Sequence, residues 1–386
     1  LVIAGSLLSD TRVIARDTGS AGDPPVPAAA GGGGYARGFT PPDMDLSYLG
    51  AWSPTVSASY TGTLPVAFDW RVVNGVNHVS PVKNQGASAC CYAFAALGNV
   101  ESREFIYGAA SLPDYAERHV RDCSWDALDP GSGWDPSDGG NYLMVANHLA
   151  QVGTVLESDL PYTTTLGLPC PTDVSYQTTL LGWELMSGPT AVTSATLKAA
   201  IIDHGPVYSS IYAGDANNPA WDAAFGTYDG SSVLVYDGGQ ITTNHAVLVV
   251  GWDDTLTHDQ GRGAWIVKNS WGTDWGDDGY FRIAYGPDDG YGAAGLGSHV
   301  AYMTDWQPYD EEGTLWSYDE AGWRGHVGYV GSTTAWGANV FTATAQTPLT
   351  RVEFWTVDAM ERVDIALYDD FGNGPVGPPL WQSQGH

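Results

Sequence analysis

Apolar residues change their period part-way along this chain, and that change limits the folds open to it. In the stretch from Cys91 to Ala109, Phe94, Leu97, Val100 and Phe105 recur at helical spacing and predict a helix that buries one face. "NYLMVANHLAQVG" and "SATLKAAIIDHG" repeat the pattern and close on Gly153 and Gly205, residues suited to a helix C-terminus. From His245 the period is different. "HAVLVVGW", "GAWIVKNSW" and "GYFRIAYG" are short β-rich runs bounded by Gly and Asp, the pattern of antiparallel strands. Helices first and strands second predicts an α+β enzyme of two lobes, not a wound parallel sheet.

Texture divides the rest. Residues 18–34, "TGSAGDPPVPAAAGGGG", carry almost no bulk to bury and read as a flexible linker. The opening "LVIAGSLLSD" reads as the tail of a signal-peptide apolar region, with a buried strand as the alternative. Beyond "DWQPYDEEG", Trp, Tyr, Thr and Val alternate with turns, which predicts a small β-sandwich or part of one. The expected organisation is a signal tail, pro-segment and linker over 1–63, a catalytic domain over 64–308, and a truncated β-sandwich module over 309–386. The 16 Trp and 21 Tyr can fill real cores. A net charge of −29 with only three lysines excludes nucleic acid as a partner, because a phosphate backbone is held by basic side chains. No apolar run is long enough to span a bilayer. The acidic surplus and the leader reading together predict a secreted or cell-surface protein.

Two of the four cysteines, Cys90 and Cys91, are adjacent. Neighbouring cysteines bridge only through a strained ring, so the pair is a poor staple. Cys91 opens the helical stretch, where free N–H groups favour thiolate over thiol. An imidazole nearby would complete a nucleophile–base pair, and a third group would orient it. His245 stands at the mouth of an apolar strand. Asn269 ends the next strand, followed by tryptophans that could keep water off a hydrogen bond. Gln85 has an amide that could donate to an oxyanion. The plainer alternative makes Cys91 a small buried hydrophobe and His245 a structural residue.

The words "FDWR", "VSPVKNQGASACCYAF", "NHAVLVVGW" and "KNSWGTDWGDDGYFRI" resemble those of the papain-like cysteine peptidases, in the family's order, from about Leu64 to Met303. The resemblance implies the papain-like two-lobed fold, a helical lobe beside an antiparallel β-barrel-like lobe. It implies Cys91 as nucleophile, His245 as base, Asn269 as its orienter, Gln85 in the oxyanion hole and Trp271 as a shield. It further implies that Gly139 and Gly140 line the cleft and that Tyr142, Ser210 and Ala246 shape the pocket for the second residue before the cut. One family disulfide corresponds to Cys123 and Cys170; another would fall on Ser88 and Ser137. Residues 319–370 resemble the lectin-like β-sandwich that follows such domains in some archaeal and bacterial secreted peptidases. "GFTPPDMDLSYLG" resembles the segment that precedes the catalytic domain there, and a pro-region of this kind should cross or border the cleft.

The activity implied is hydrolysis of a protein or peptide substrate through a thioester acyl-enzyme. Glycan or cell-surface contact through the last module is a further expectation. No metal or cofactor is called for: the Asp-rich turns "YGPDDGYG" and "YDDFGNGPVG" lack EF-hand spacing and read as solvated loops. The rival readings are a transpeptidase or ligase using the same triad, and an inactive papain-like protein attached to glycan or cell wall. Charge supplies a prediction of its own. Of the 44 acidic residues 34 are aspartate, against 15 basic residues, so the surface repels itself at low ionic strength. Molar salt shortens screening to about 3 Å. The melting temperature should therefore rise between low and molar sodium chloride; a flat or falling trend would mark an ordinary acidic secreted protein.

Overall fold

The computed structural model describes residues 2–8, 35–42, 46–47, 49, 60, 62–128, 134–135, 137–239, 242–286, 293–313, 315, 334–342, 349–352, 362–370, 372 and 374–385. The linker at 18–34, most of the Ser/Thr-rich stretch at 53–63 and the acidic turn at 287–292 lie outside them. The chain forms two compact units, Leu1–Asp23 with Thr314–His386, and Pro24–Gly313.

In the smaller unit, β1 (Val2–Leu8) runs antiparallel between β9 (Thr334–Val340) and β10 (Arg362–Tyr368), and β11 (Trp381–Ser383) borders β10. The opening apolar run is thus a strand. Val363, Ile365 and Leu367 are buried while their neighbours are less so, the period-2 pattern of a sheet with one covered face. Among the described residues this unit holds a single four-stranded sheet, where a sandwich or part of one was expected.

In the larger unit, a short strand at Ala67–Asp69 is followed by four helices: α1 (Cys91–Ile106), α2 (Glu117–Cys123), α3 (Trp125–Leu128) and α4 (Tyr142–Gln151). Two more, α5 (Ser194–His204) and α6 (Pro219–Gly226), flank the sheet's first strands. The seven-stranded antiparallel sheet runs β3 (Thr178–Leu185), β8 (Ser298–Pro308), β4 (Val207–Ile211), β5 (His245–His258), β6 (Gly261–Lys268), β7 (Tyr280–Ala284), with β2 (Ala67–Asp69) on β5. Capping follows sequence chemistry. Asn141 accepts the N–H of Met144 at the start of α4, Thr193 that of Thr196 at α5, and α5 stops at Gly205 with φ +86°. At α4 the terminal position is Val152, one residue before the predicted glycine.

Helix α1 departs from its prediction. A single buried face was expected, yet every residue from Cys91 to Glu104 is buried, because β5 lies on one side and α4 on the other. Small residues permit this: a Cβ on Gly98 would meet Leu248 of β5 at 3.1 Å. Some of the polar side chains caught inside are matched, while Ser102 Oγ and Glu104 Oε1 have no hydrogen-bond partner. Asn99 donates to Pro206 O at 2.7 Å and accepts from Tyr142 Oη and Met303 N at 2.9 Å each, tying α1 to both lobes.

The helical lobe also holds a disulfide, Cys123–Cys170, while Cys90 and Cys91 are free. Where the second family disulfide would lie, Ser88 faces the fully buried Arg121, which pairs with Asp122 and donates to Thr163 O and Thr165 O. Beside the disulfide, His119 Nδ1 and His148 Nε2 lie 3.0 Å apart. Burial pulls His119 down to about 4 and His148 well below the usual histidine range, where the charge of His119 adds to the effect. An unfolded histidine takes its proton near pH 6.5. Between about pH 6.5 and 4 the unfolded chain therefore binds more protons, and stability present above 6.5 is lost as the pH falls toward 4. Melting temperature measured across that window should drop, with a shallower slope in His119→Gln; equal slopes would count against the pair as the cause.

Candidate active site

The start of α1, the start of β5 and the end of β6 converge on one point. Cys91 Sγ accepts the N–H of Ala246 at 3.3 Å, and Ala246 follows His245, the first residue of β5. Register with β6, Leu248 opposite Lys268, carries Asn269 to the level of Val247, two residues from His245 and on the same side of the strand. His245 Nε2 lies 2.8 Å from Asn269 Oδ1. That oxygen can only accept, so Nε2 carries the hydrogen and Nδ1 is left as the basic nitrogen. Nδ1 has no hydrogen-bond partner. Trp271 packs its ring 4.9 Å from the imidazole and is 1% exposed, which keeps water from the His245–Asn269 contact.

Gln85 is held from both ends of its amide. Oε1 accepts from Ser270 Oγ at 2.6 Å, and Nε2 donates to Ser88 O at 2.8 Å and to Ala36 O at 3.1 Å. Cys90 faces elsewhere: its sulfur lies 3.1 Å from Tyr162 Oη, which donates to Gln85 O. The adjacent thiols thus touch different partners.

Residues 35–42 run through this constellation. Gly140 N–H donates to Gly38 O at 2.9 Å and Thr40 N–H to Gly140 O at 3.0 Å, a parallel bridge centred on Phe39 and Gly140. The fit is close. A Cβ on Gly38 would sit 2.1 Å from Ala89 O, and one on Gly139, at φ +83°, would sit 2.4 Å from Gly38 O. The Gly38 backbone N–H opposes the rise of the Cys91 thiol's pKa, as does that of Ala246. Ala36 O accepts from Trp271 Nε1 at 3.2 Å as well as from Gln85, and Tyr35 stacks on the Trp271 ring at 4.7 Å. Phe39 is buried in one apolar cluster with Tyr142 and Tyr208, and its ring lies 4.9 Å from that of His299. Ser210 stands beside it with Oγ 2.9 Å from His299 Nδ1. Sequence reasoning singled out Tyr142, Ser210 and Ala246 but passed over His299, Tyr208 and the ion pair between Arg37 and Asp222. The only sequence signal for His299 is a histidine interrupting the apolar run of β8.

This enclosure sets the protonation states. Burial pushes the Cys91 thiol up to about 12, against the N–H donors of Ala246 and Gly38. Burial likewise pulls His245 down to about 3; the Asn269 contact resists this and the charge of Arg37 reinforces it. With the segment in place, burial disfavours the charged form of both thiol and imidazole. As for metals, His119, Cys123 and Cys170 bring possible ligand atoms within 4.8 Å of one another, but the sulfurs are bonded together and offer no thiolate.

Residues 64–304 match the papain family cysteine protease domain. The chain belongs to that family. Residues 315–384 match a lectin-like domain. Among papain-family relatives, a senescence-specific cysteine protease of Arabidopsis thaliana is 31% identical over 247 residues, covering 63% of each chain. A cysteine protease of the mite Blomia tropicalis is 29% identical over 244 residues, covering 63% of this chain and 67% of its own length. Of solved papain-family structures, a digestive procathepsin L2 proteinase from the larval midgut of Tenebrio molitor superposes with a TM-score of 0.55 at 29% identity, covering 70% of this chain and 79% of its own. The ragweed cysteine protease Amb a 11, solved in its proform, gives 0.50 at 26% identity, covering 64% and 69%. No described helix is long and apolar enough to cross a membrane.

Proposed function

We propose that this chain is the latent form of a cysteine endopeptidase, with Cys91 as nucleophile, His245 as base, Asn269 as its orienter and Gln85 as oxyanion donor. One observation carries the reading: residues 35–42 run extended across the site, with the Ala36 carbonyl on the Gln85 amide and Phe39 bridged to Gly140. The segment blocks without presenting itself for attack. The thiol meets the N–H of Gly38, whereas the carbonyl held by Gln85 belongs to Ala36, two residues away.

Removal of the segment admits water to the cleft and takes away the positive charge of Arg37. Both changes favour imidazolium, and the charged pair of thiolate and imidazolium becomes accessible. The thiolate then adds to a peptide carbonyl, forming a C–S bond, and the oxyanion accepts hydrogen bonds from Gln85 Nε2 and the Cys91 N–H. Imidazolium gives its proton to the amine as the C–N bond breaks. Neutral Nδ1 then deprotonates water, which attacks the thioester and frees the acid and the thiol. The disulfide suits an oxidising compartment outside the cytoplasm. The lectin-like match makes glycan the partner of choice for the smaller unit.

Material with the cleft segment trimmed away should hydrolyse casein and take up an epoxide thiol inhibitor. Cys91→Ala should lower hydrolysis by at least about 10³-fold, as loss of a nucleophile does in other acyl-transfer enzymes. Cys90→Ala should keep most of the activity. Equal loss in both variants, or inhibitor found on Cys90 alone, would overturn the assignment. Mass spectrometry of active protein with its N-terminal region intact would overturn latency.

A further inference from the structure

We infer that Asp222 and the carbonyl of Ala213 form a subsite for a cationic side chain, lysine or arginine, on the leaving-group side of the cleft. The inference rests on the peptidase reading above and adds a specificity to it. Arg37 occupies the subsite now: its Nη2 pairs with Asp222 Oδ1 and donates to Ala213 O at 2.8 Å. Both partners are buried, Arg37 at 3% exposure and Asp222 at 8%.

The acceptors are built to converge. A Cβ on Gly214, at φ +94°, would fall 2.4 Å from Asp222 Cα, so only glycine lets the 213–214 turn lie against α6 beside the carboxylate. Asn244, the residue before His245, fixes that turn: its Oδ1 accepts from Ala213 N at 3.0 Å and its Nδ2 donates to Gly214 O at 2.9 Å. On the α6 side, Trp221 is anchored through Nε1 to Tyr212 O at 2.9 Å. When Arg37 leaves, a carboxylate and a carbonyl remain in a fixed recess facing the cleft, and a cation restores what the pair lost.

The position follows from the chemistry. His245 delivers the proton to the departing amine, so whatever lies over His245 and Trp271 lies on the leaving-group side. Phe39 is bridged to Gly140, whereas Tyr35 stacks on Trp271 and the charge of Arg37 acts on His245. Only one guanidinium nitrogen is matched; Arg37 Nε and Nη1 have no hydrogen-bond partner. A subsite that satisfies a single nitrogen takes an ammonium as readily as a guanidinium.

The trimmed protein would be given internally quenched peptides with one fixed acyl side and Lys, Arg, Gln or Glu at the first or second leaving-side position, in molar salt to screen the overall negative field. For wild type, kcat/KM for Lys and for Arg should each exceed that for Gln by at least about tenfold at one position, the factor that 1.4 kcal/mol represents. Within Asp222→Asn that ratio should fall below about twofold, and within Asp222→Lys it should favour Glu. Equal rates for all four residues, or an unchanged ratio in Asp222→Asn, would overturn the subsite. Failure of wild type to cleave any peptide or to take up the epoxide would instead overturn the peptidase reading. The subsite would still be read in the full chain carrying Cys91→Ala, through cutting near residues 35–42 by an added protease. Arg37→Lys should protect that region as arginine does, while Arg37→Gln and Asp222→Asn should expose it equally and the double variant no further. Additive exposure, or exposure by Arg37→Lys, would refute the cation subsite.

Discussion

A thiol at the first turn of a helix that is enclosed on every side sets the terms for the rest of the larger unit. Because α1 has no solvent face, each polar atom it carries inward needs a partner, and an unmatched one costs roughly 1–3 kcal/mol. Asn99 meets that demand by reaching into both lobes, Glu101 Oε1 and Glu104 Oε2 meet it through Tyr115, and Ser102 Oγ and Glu104 Oε1 bear the cost unmatched. The same enclosure fixes the helix rigidly enough that Cys91, His245 and Asn269, from three separate elements, share one hydrogen-bonded locus.

Enclosure also explains how one set of residues can be both prepared and silent. The contact of imidazole and amide is formed beneath residues 35–42, yet burial disfavours charge on imidazole and thiol alike, and the neighbouring guanidinium adds to this at the imidazole. On the latent-peptidase reading proposed above, the segment would suppress charge separation without displacing Cys91, His245 or Asn269, and latency would be electrostatic as much as steric.

Much of this was legible in sequence, because the site is written in contiguous words. The Gln85, Cys91, His245 and Asn269 motifs each lie within a few residues of a helix or strand end, so local pattern locates them. Helix α5 ends where Gly205 predicts for the same reason. What could not be read depends on distance or on environment. Periodicity gave α1 one apolar face; alanines and a glycine let neighbours close over the rest. The Arg37–Asp222 pair joins residues 185 apart in a segment that looks like linker, and β1 completes a sheet built from the far end of the chain. His299 carries no motif and gains meaning only from Ser210 and Phe39 beside it.

The three lysines are all engaged inside the larger unit. Lys83 meets Asp114, Glu117 and Glu101, Lys198 meets Asp254, and Lys268 meets Ser80. Their side chains are largely buried; Lys83 keeps 17% exposure and Lys198 10%. The outer coat is left with carboxylates and almost no primary amine. A thioester intermediate reacts with whichever nucleophile reaches it, water or amine alike. On the peptidase reading proposed above, crowded copies of this protein would offer one another almost no exposed lysine to acylate, so the coat that keeps them apart by charge would also leave them chemically inert toward their neighbours' intermediates.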